Sequence, residues 1–165
     1  MIAETGIVHA AVKLGIGVLK PIMDGQRYDL VFDLGARFLR VQCKWARRQG
    51  DVILVRCYSS RRGRDHFLRL YYTSEEVDAI AAYCPDVDRC YFLPAAVIVG
   101  RAQISLRLAA PRNGQRARIR QADDFEFPRV DWNDLGAIAQ LGERRTGSAK
   151  VAGSNPAGSM SFDRS

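Results

Sequence analysis

The chain has 165 residues, which is enough for one domain with short extensions. Hydrophobic residues make up 47% and charged residues 26%, so a packed globular core is expected rather than disorder. The formal net charge of +7 favours a polyanionic partner. No apolar run is long enough to cross a bilayer, which argues against a membrane protein. The N-terminus lacks the basic residues of a secretory signal, which argues against a secreted protein.

The predicted elements begin with an amphipathic helix over residues 2–14, which ends at Gly15 and Gly17. A strand is predicted over residues 29–34 and a second strand over residues 37–44. Between them, residues 35–36 predict a two-residue turn of type II′, because glycine occupies its first central position.

A further strand is predicted over residues 51–58, followed by a strongly basic loop over residues 59–65. Residues 73–76 have capping-box spacing and could open a short helix, although residues 78–83 could equally be extended. A last strand is expected over residues 89–93. The order predicts an α/β fold with a mixed sheet and a central antiparallel hairpin.

Two segments are distinguished by composition, a domain over residues 1–133 and a tail over residues 134–165. The tail is rich in small residues without a sustained period, so we expect it to be largely disordered. Residues 139–144 and 153–156 also resemble a translated tRNA gene. We therefore hypothesise that the reading frame continues into a neighbouring tRNA gene and that the tail has no function of its own.

The four cysteines, Cys43, Cys57, Cys84 and Cys90, show no CxxC spacing and are too sparse for a disulfide framework. With only two histidines in the chain, a zinc site would have to gather scattered ligands. We interpret the cysteines as buried free thiols in a reducing cytoplasm.

Arginine accounts for 21 of the 25 basic residues, and the segment from Arg37 to Arg69 holds ten basic residues against two acids. This polarised distribution predicts a face that binds nucleic-acid phosphate, unless it is an ordinary solvated surface with an arginine-rich composition. The candidate DNA-binding residues are Arg40, Arg47, Arg48, Arg61, Arg62 and Arg64. Whether a second cluster over residues 101–120 contacts DNA or a sister subunit stays open.

The register of the hairpin follows from its two-residue turn. The predicted opposing pairs are Leu34 with Arg37, Phe32 with Leu39, Leu30 with Val41, and Asp29 with Gln42. Lys44 lies diagonally from Asp29 on the same face, because side chains alternate along a strand. One face of the hairpin is therefore apolar and packs under the first helix, and the other presents a carboxylate, an amide and an ammonium group.

This trio suits a divalent metal beside a phosphate. The oxygens of Asp29 and Gln42 are the hard ligands that Mg²⁺ prefers, and Lys44 could orient a water molecule and stabilise the transition state. A second acid is needed, and Glu4 at the start of the first helix is the candidate. The alternative for Glu4 is a helix-favourable acid at the positive end of the helix dipole. Mg²⁺ is the expected cofactor, with Mn²⁺ as a substitute.

An early helical Glu, then Arg-Tyr-Asp, then Gln-x-Lys on the next strand resembles the PD-(D/E)XK nuclease superfamily, and most closely its branch that includes the cyanobacterial group I intron homing endonuclease. The resemblance extends over about residues 2–127. It is carried by residues 2–4, 19–21, 27–31, 38–44, 82–85, 88–91 and 112–115. The implied fold is a nuclease-like α-β-β-β-α-β core. The branch has Gln at the position where most of the superfamily has Asp or Glu, and Gln42 agrees with this.

The resemblance implies roles for four residues. Glu4 and Asp29 become metal ligands, Gln42 coordinates or positions, and Lys44 orients the attacking water. The implied function is metal-dependent endonucleolytic hydrolysis of double-stranded DNA, in homing or another mobile-element process. We expect the protein to be a dimer or tetramer. We also expect it to be cytoplasmic and associated with the nucleoid, and not to bind membranes. The alternatives are a non-catalytic nucleic-acid-binding module on this scaffold and a structure-specific nuclease of repair or recombination.

Overall fold

The protein is described here by a computed structural model that covers residues 2–63, 67–109, 120–132 and 135. Its helices are α1 (Ile2–Lys13) and α2 (Ala95–Ile98), and two 3₁₀ turns span Asp123–Phe125 and Phe127–Arg129. The strands are β1 (Gly17–Leu19), β2 (Leu30–Asp33), β3 (Phe38–Trp45), β4 (Arg47–Gln49), β5 (Val52–Arg56), β6 (Tyr58–Arg62), β7 (Phe67–Tyr71), β8 (Ala79–Cys84), β9 (Arg89–Pro94), β10 (Gln103–Arg107) and β11 (Arg120–Gln121).

Three sheets are built from these strands. The main sheet has the order β1-β2-β3-β8-β9, in which β3 and β8 are parallel and the other neighbours antiparallel. A second sheet has the order β11-β10-β5-β4, and β6 and β7 form a separate two-stranded sheet. The predicted fold class, a mixed α/β fold with a central antiparallel hairpin, is confirmed.

The core occupies both faces of the main sheet. On one face, Ile7 and Ala11 of α1 pack with the apolar side of the β2–β3 hairpin, as the alternation predicts. On the other face, Ile80 of β8 packs against Ile53 and Val55 of the second sheet. Strand β8, which lies between β3 and β9, is therefore buried on both faces, which explains its continuous apolar sequence.

An aromatic group closes the α1 side of the sheet. Trp132 stacks edge-on against Phe92 with ring centroids 4.8 Å apart, and its indole N–H donates to the carbonyl of Phe127 at 3.0 Å. Phe127 is 1% exposed and lies within the same cluster. Ring packing of Trp132 thus holds the C-terminal end of the described domain against the main sheet.

The hairpin has the predicted register. Leu30 pairs with Val41 and Phe32 with Leu39, and all four side chains are buried. The turn differs from the predicted type II′ turn, because the Ala36 N–H donates to the Leu34 carbonyl at 3.0 Å, which is the spacing of a γ-turn. Gly35 is the central residue of this turn and has φ +79°, so the position favours glycine because of its positive φ, as the sequence predicts.

Other segments differ from the expectation. The basic segment after residue 58 is not a loop, because β6 pairs in antiparallel fashion with β7. β4 was not predicted, because three exposed polar residues carry no strand signal. The capping-box bond between the Thr73 N–H and Glu76 Oε2 exists at 3.1 Å, but it closes a turn, and the next element is the strand β8.

The expected α-β-β-β-α-β order also changes at one place. Among the described residues, no helix lies between β3 and β8, and α2 follows β9. The second sheet covers the face of the main sheet that a helix would otherwise cover, so the hydrophobic face is still buried.

The remaining expectations concern burial and the tail. Cys57, Cys84 and Cys90 are buried free thiols, as expected, whereas Cys43 is half-buried. Within the described ranges, no helix has the length and apolar character needed to cross a membrane. The predicted tail lies outside the described residues except for Leu135, which packs against the α1 side of the core.

Candidate active site

The four predicted site residues come from three neighbouring elements. Glu4 lies in the first turn of α1, Asp29 directly precedes β2, and Gln42 and Lys44 lie on β3. The Asp29 N–H donates to the Val41 carbonyl at 3.0 Å, and because Val41 is the register partner of Leu30, the pairing shifts by one residue just before β2. The tight turn thereby places the Asp29 carboxylate beside the end of β3.

The Asp29 carboxylate is held through one of its two oxygens. Oδ2 accepts a hydrogen bond from the backbone N–H of Cys43 at 2.8 Å and another from Nε2 of Gln42. Among the described residues, no hydrogen bond reaches Oδ1, which leaves this oxygen for a ligand. The Gln42 contact gives this amide a positioning role, and its own carbonyl oxygen is left for a ligand as well.

Burial raises the pKa of Asp29 above its ordinary value of 3.8. The Cys43 N–H and the charges of Lys44 and Lys20 act in the opposite direction, whereas the charge of Glu4 raises the pKa further. The dominant cause is the desolvation of the ionised carboxylate. A cation at this position would therefore relieve an unfavourable charge.

Glu4 and Asp29 line the same clefts. One cleft, of about 630 Å³, is bounded by Ile2, Ala3, Glu4, Asp29, Cys43 and Trp45. A second cleft, of about 230 Å³, also contains both carboxylates and extends toward Lys20. Glu4 forms an ion pair with Lys20, whose Nζ lies 2.5 Å from Glu4 Oε1. Thus α1 brings a second acid to Asp29, and an exposed lysine compensates part of the added charge.

Lys44 lies on the face of the main sheet that the second sheet covers, whereas Asp29 lines a cleft on the α1 side together with Glu4 and Cys43. The predicted placement of Lys44 and Asp29 on one face therefore differs from the structure, although their charges still interact. The Lys44 ammonium group lies 5.0 Å from the ring centroid of Tyr72, which belongs to the core cluster between the two sheets. Burial lowers the pKa of Lys44, and the charge of Asp29 opposes this effect. Tyr72 is only 3% exposed, and burial raises its pKa to about 12, so its hydroxyl stays protonated at neutral pH.

Arg27 is a site residue that the sequence reasoning did not single out. Its guanidinium carbon lies 4.5 Å from the centroid of the Tyr72 ring. Nε donates to Glu76 Oε1 at 3.0 Å and Nη1 to Ser59 Oγ at 2.7 Å. The only signal in the sequence was its place in the Arg-Tyr-Asp motif; its partners lie more than thirty residues away.

The donor chemistry fits a small hard cation. In the part of the chain that the structure describes, no group of three or more His, Cys, Asp or Glu residues could hold a metal by itself. However, Mg²⁺ typically takes one or two carboxylates and completes its coordination with water and phosphate oxygens. Glu4, Asp29 and the amide oxygen of Gln42 supply such a set. Burial raises the pKa of Cys43, so this thiol stays protonated and is not a thiolate ligand.

The predicted DNA-binding arginines are used in different ways. Arg47 and Arg48 on β4, and Arg61 and Arg62 on β6, are exposed. Arg40 is bound within the protein instead, since its Nε and Nη2 each donate to the carboxylate of Asp78 at 3.1 Å. Arg64 lies outside the described residues, as does much of the second basic cluster.

Comparison with known proteins identifies the class. The family described as PD-(D/E)XK endonuclease matches residues 2–128, and the chain belongs to this family. Among solved structures, the bacterial homing endonuclease I-Ssp6803I is similar, with a TM-score of 0.61 and 25% sequence identity over 89% of this chain and 95% of that one. No curated protein sequence matches the chain. The predicted superfamily and its homing-endonuclease branch are therefore confirmed.

Proposed function

We propose that this endonuclease-family protein hydrolyses phosphodiester bonds of double-stranded DNA with Mg²⁺ as its cofactor and Mn²⁺ as a substitute. The observation that carries the proposal is the pair of carboxylates, Glu4 and Asp29, that lines one cleft, with Asp29 also within the electrostatic reach of Lys44. A binding module has no use for a carboxylate whose burial raises its pKa next to a phosphate-binding surface.

Each residue has a defined role. Glu4 and Asp29 would hold the metal, which when bound supplies charge stabilisation to the phosphate and acidifies a water molecule. Gln42 fixes Asp29 by donating to Oδ2 and can offer its carbonyl oxygen as a further ligand. The Lys44 ammonium orients the attacking water and stabilises the negative charge that develops on the phosphate. Water attacks phosphorus in line and gives up its proton to solvent, the bond from phosphorus to the 3′ oxygen breaks, and the leaving oxygen takes a proton from solvent, which leaves a 5′-phosphate and a 3′-hydroxyl.

The basic surface supports DNA as the substrate. The exposed arginines of β4 and β6 contribute positive charge without forming part of the core. The homing-endonuclease neighbour supports a role in homing or another mobile-element process. Since the described residues of one chain carry one such site, we expect a dimer or tetramer to cut both strands of a duplex.

The test is nicking of supercoiled plasmid by the purified full chain, with Mg²⁺, Mn²⁺ or EDTA. The Lys44→Ala variant is expected to lose about 100-fold or more in rate, as when one transition-state donor is removed. The matched control is Lys13→Ala, which removes an exposed lysine at the end of α1 and leaves nicking unchanged. Nicking that persists in EDTA or in the Lys44 variant contradicts the mechanism.

A wild-type protein that binds DNA but shows no metal-dependent cleavage would instead support the non-catalytic module. Preference for branched over linear duplex would support the repair or recombination nuclease. Both results are obtained from the same preparation with gel-shift and cleavage assays.

A further inference from the structure

The two-stranded sheet of β6 and β7, the ribbon, is separate from both other sheets. Every residue of β7 is exposed, as are the last three residues of β6. An isolated pair of strands is at best marginally stable in water. The ribbon therefore depends on its attachment to the domain and leaves a large surface free for a partner.

The register of the ribbon separates its two faces. Ser59 receives a hydrogen bond from Arg27 at 2.7 Å, so the face that carries Ser59 is directed to the protein. Opposed residues share a face, and side chains alternate along each strand. The opposite, outer face is formed by Tyr58, Ser60, Arg62, Phe67, Arg69 and Tyr71.

The outer face is suited to a polyanion. Arg62 and Arg69 are exposed on it, and the residues of β6 and β7 include no acid. Arg69 lies over the Tyr58 ring at 5.1 Å, which holds its guanidinium group along the ribbon. Among the described residues, no carboxylate pairs with Arg62 or Arg69, so the two guanidinium groups repel each other. A strand of phosphates or guanine edges would relieve that repulsion.

The attachment of the ribbon links this face to the active site. Arg27 donates to Ser59 Oγ of β6 and, at 2.9 Å, to the Tyr71 carbonyl of β7. The same guanidinium group contacts Tyr72, on which Lys44 also packs. Arg27 stands two residues before Asp29, so the base of the ribbon is fixed relative to the cleavage site.

We propose that the outer face of the ribbon enters the major groove of duplex DNA, with Arg62 and Arg69 as the groove-contacting residues. The major groove is about 12 Å wide and admits a two-stranded ribbon, and arginine is the side chain that most often binds guanine edges there. The fixed base then sets the distance between the contacted base pairs and the cleaved bond. This inference rests on the proposed function, because it assumes duplex DNA as the substrate.

The test measures binding of the full chain to a fluorescein-labelled 30-base-pair duplex of mixed sequence in EDTA, by fluorescence anisotropy. The double variant R62A/R69A is expected to bind about tenfold more weakly or worse. The matched control, K13A/R129A, removes the same charge from α1 and from the second 3₁₀ turn and keeps wild-type affinity. Methyl green, a major-groove ligand, should displace the wild-type protein, whereas netropsin, a minor-groove ligand, should not.

Three results would overturn the inference: wild-type affinity in R62A/R69A, displacement by netropsin alone, or equal losses in both double variants. Light scattering of R62A/R69A adds a fourth, because a change in oligomeric state would identify the ribbon as a contact between copies. Since binding is measured in EDTA, a protein that binds through the ribbon but cuts no plasmid contradicts the proposed hydrolysis alone.

Discussion

Asp29 is the residue at which the chemistry of the site and the stability of the fold have opposite requirements. Metal binding needs the ionised carboxylate, whereas burial raises its pKa and so disfavours that ionised form. A folded-state pKa above the unfolded value means that the ionised group destabilises the metal-free protein at neutral pH. Under the proposed function, the unfavourable charge would be offset by the bound cation.

The Asp29→Asn variant tests this conflict. The amide keeps an oxygen that can accept from Cys43 and Gln42 but removes the charge, so the melting temperature in EDTA at pH 7 should rise while plasmid nicking is lost. The rise should disappear as the pH falls through the raised pKa of Asp29, because the wild-type carboxyl is then protonated. The control is Asp124→Asn, which changes an exposed acid. A lower melting temperature at pH 7 would count against the argument.

Tyr72 is the second residue whose chemistry can be tested singly. Its ring lies under the Lys44 ammonium at 5.0 Å and under the Arg27 guanidinium at 4.5 Å. Such contacts contribute about 2 kcal/mol when desolvated. The Tyr72→Leu variant should lower the nicking rate about tenfold at unchanged DNA affinity, whereas Tyr72→Phe, which keeps the ring, should retain most of the activity. Equal rates in the two variants would show that the ring face does not position Lys44.

At the scale of the elements, the β2–β3 hairpin carries most of the candidate site. Its register is set by the turn at Gly35 and by apolar side chains on one face. A slip by one residue would turn Gln42 and Lys44 to the side of α1 and expose the apolar pairs. The hairpin therefore determines both the packing of α1 and the positions of the polar groups.

Replacing Gly35 by alanine tests the turn. Its φ of +79° is unfavourable for a residue with a Cβ, and no atom lies within 4 Å of the added Cβ, so the cost is in the backbone alone. We expect the free energy of unfolding to fall by about 1–2 kcal/mol in urea titrations. The neighbouring change Ala36→Ser, at a residue without positive φ, should have little effect. An unchanged unfolding midpoint in Gly35→Ala would mean that the turn relaxes without cost.

At the scale of the whole molecule, the described residues of one chain contain one cleft pair of carboxylates, Glu4 and Asp29, so we expect a double-strand break to need two copies. We expect light scattering of the active protein to give the mass of a dimer or tetramer. A monomeric mass under conditions in which both plasmid strands are cut would contradict this expectation. The position of the contact between copies is a separate question, which the ribbon variants address.

The tail can be tested at the same scale. If residues 136–165 have no function of their own, a chain that ends after residue 135 should keep the wild-type melting temperature and nicking rate. Ending there preserves Leu135, whose carbonyl accepts a hydrogen bond from Arg37 at 3.2 Å. A loss of activity in the shortened chain would contradict the hypothesis that the tail is translated tRNA-gene sequence without a role.

The sequence by itself determined the first helix, the hairpin with its register from Leu30 to Asp33, and the proximity of the Asp29 and Gln42 side chains. These features depend on local rules, namely helical spacing, strand alternation and the backbone freedom of one glycine, so a short stretch of residues suffices to specify them. The family followed from the same residues, because the Glu, Asp and Gln-x-Lys series lies in order along the chain.

Only the tertiary structure decided which residues surround that site. Lys20 pairs with Glu4, Arg27 with Glu76, and Lys44 packs on Tyr72 through contacts between segments distant in sequence. It also showed that a second sheet covers the main sheet and that the basic segment after residue 58 is a ribbon. Strands such as β4 and β6 consist of polar residues whose pairing depends on a partner strand, so their own sequences carry no periodic signal from which pairing could be predicted.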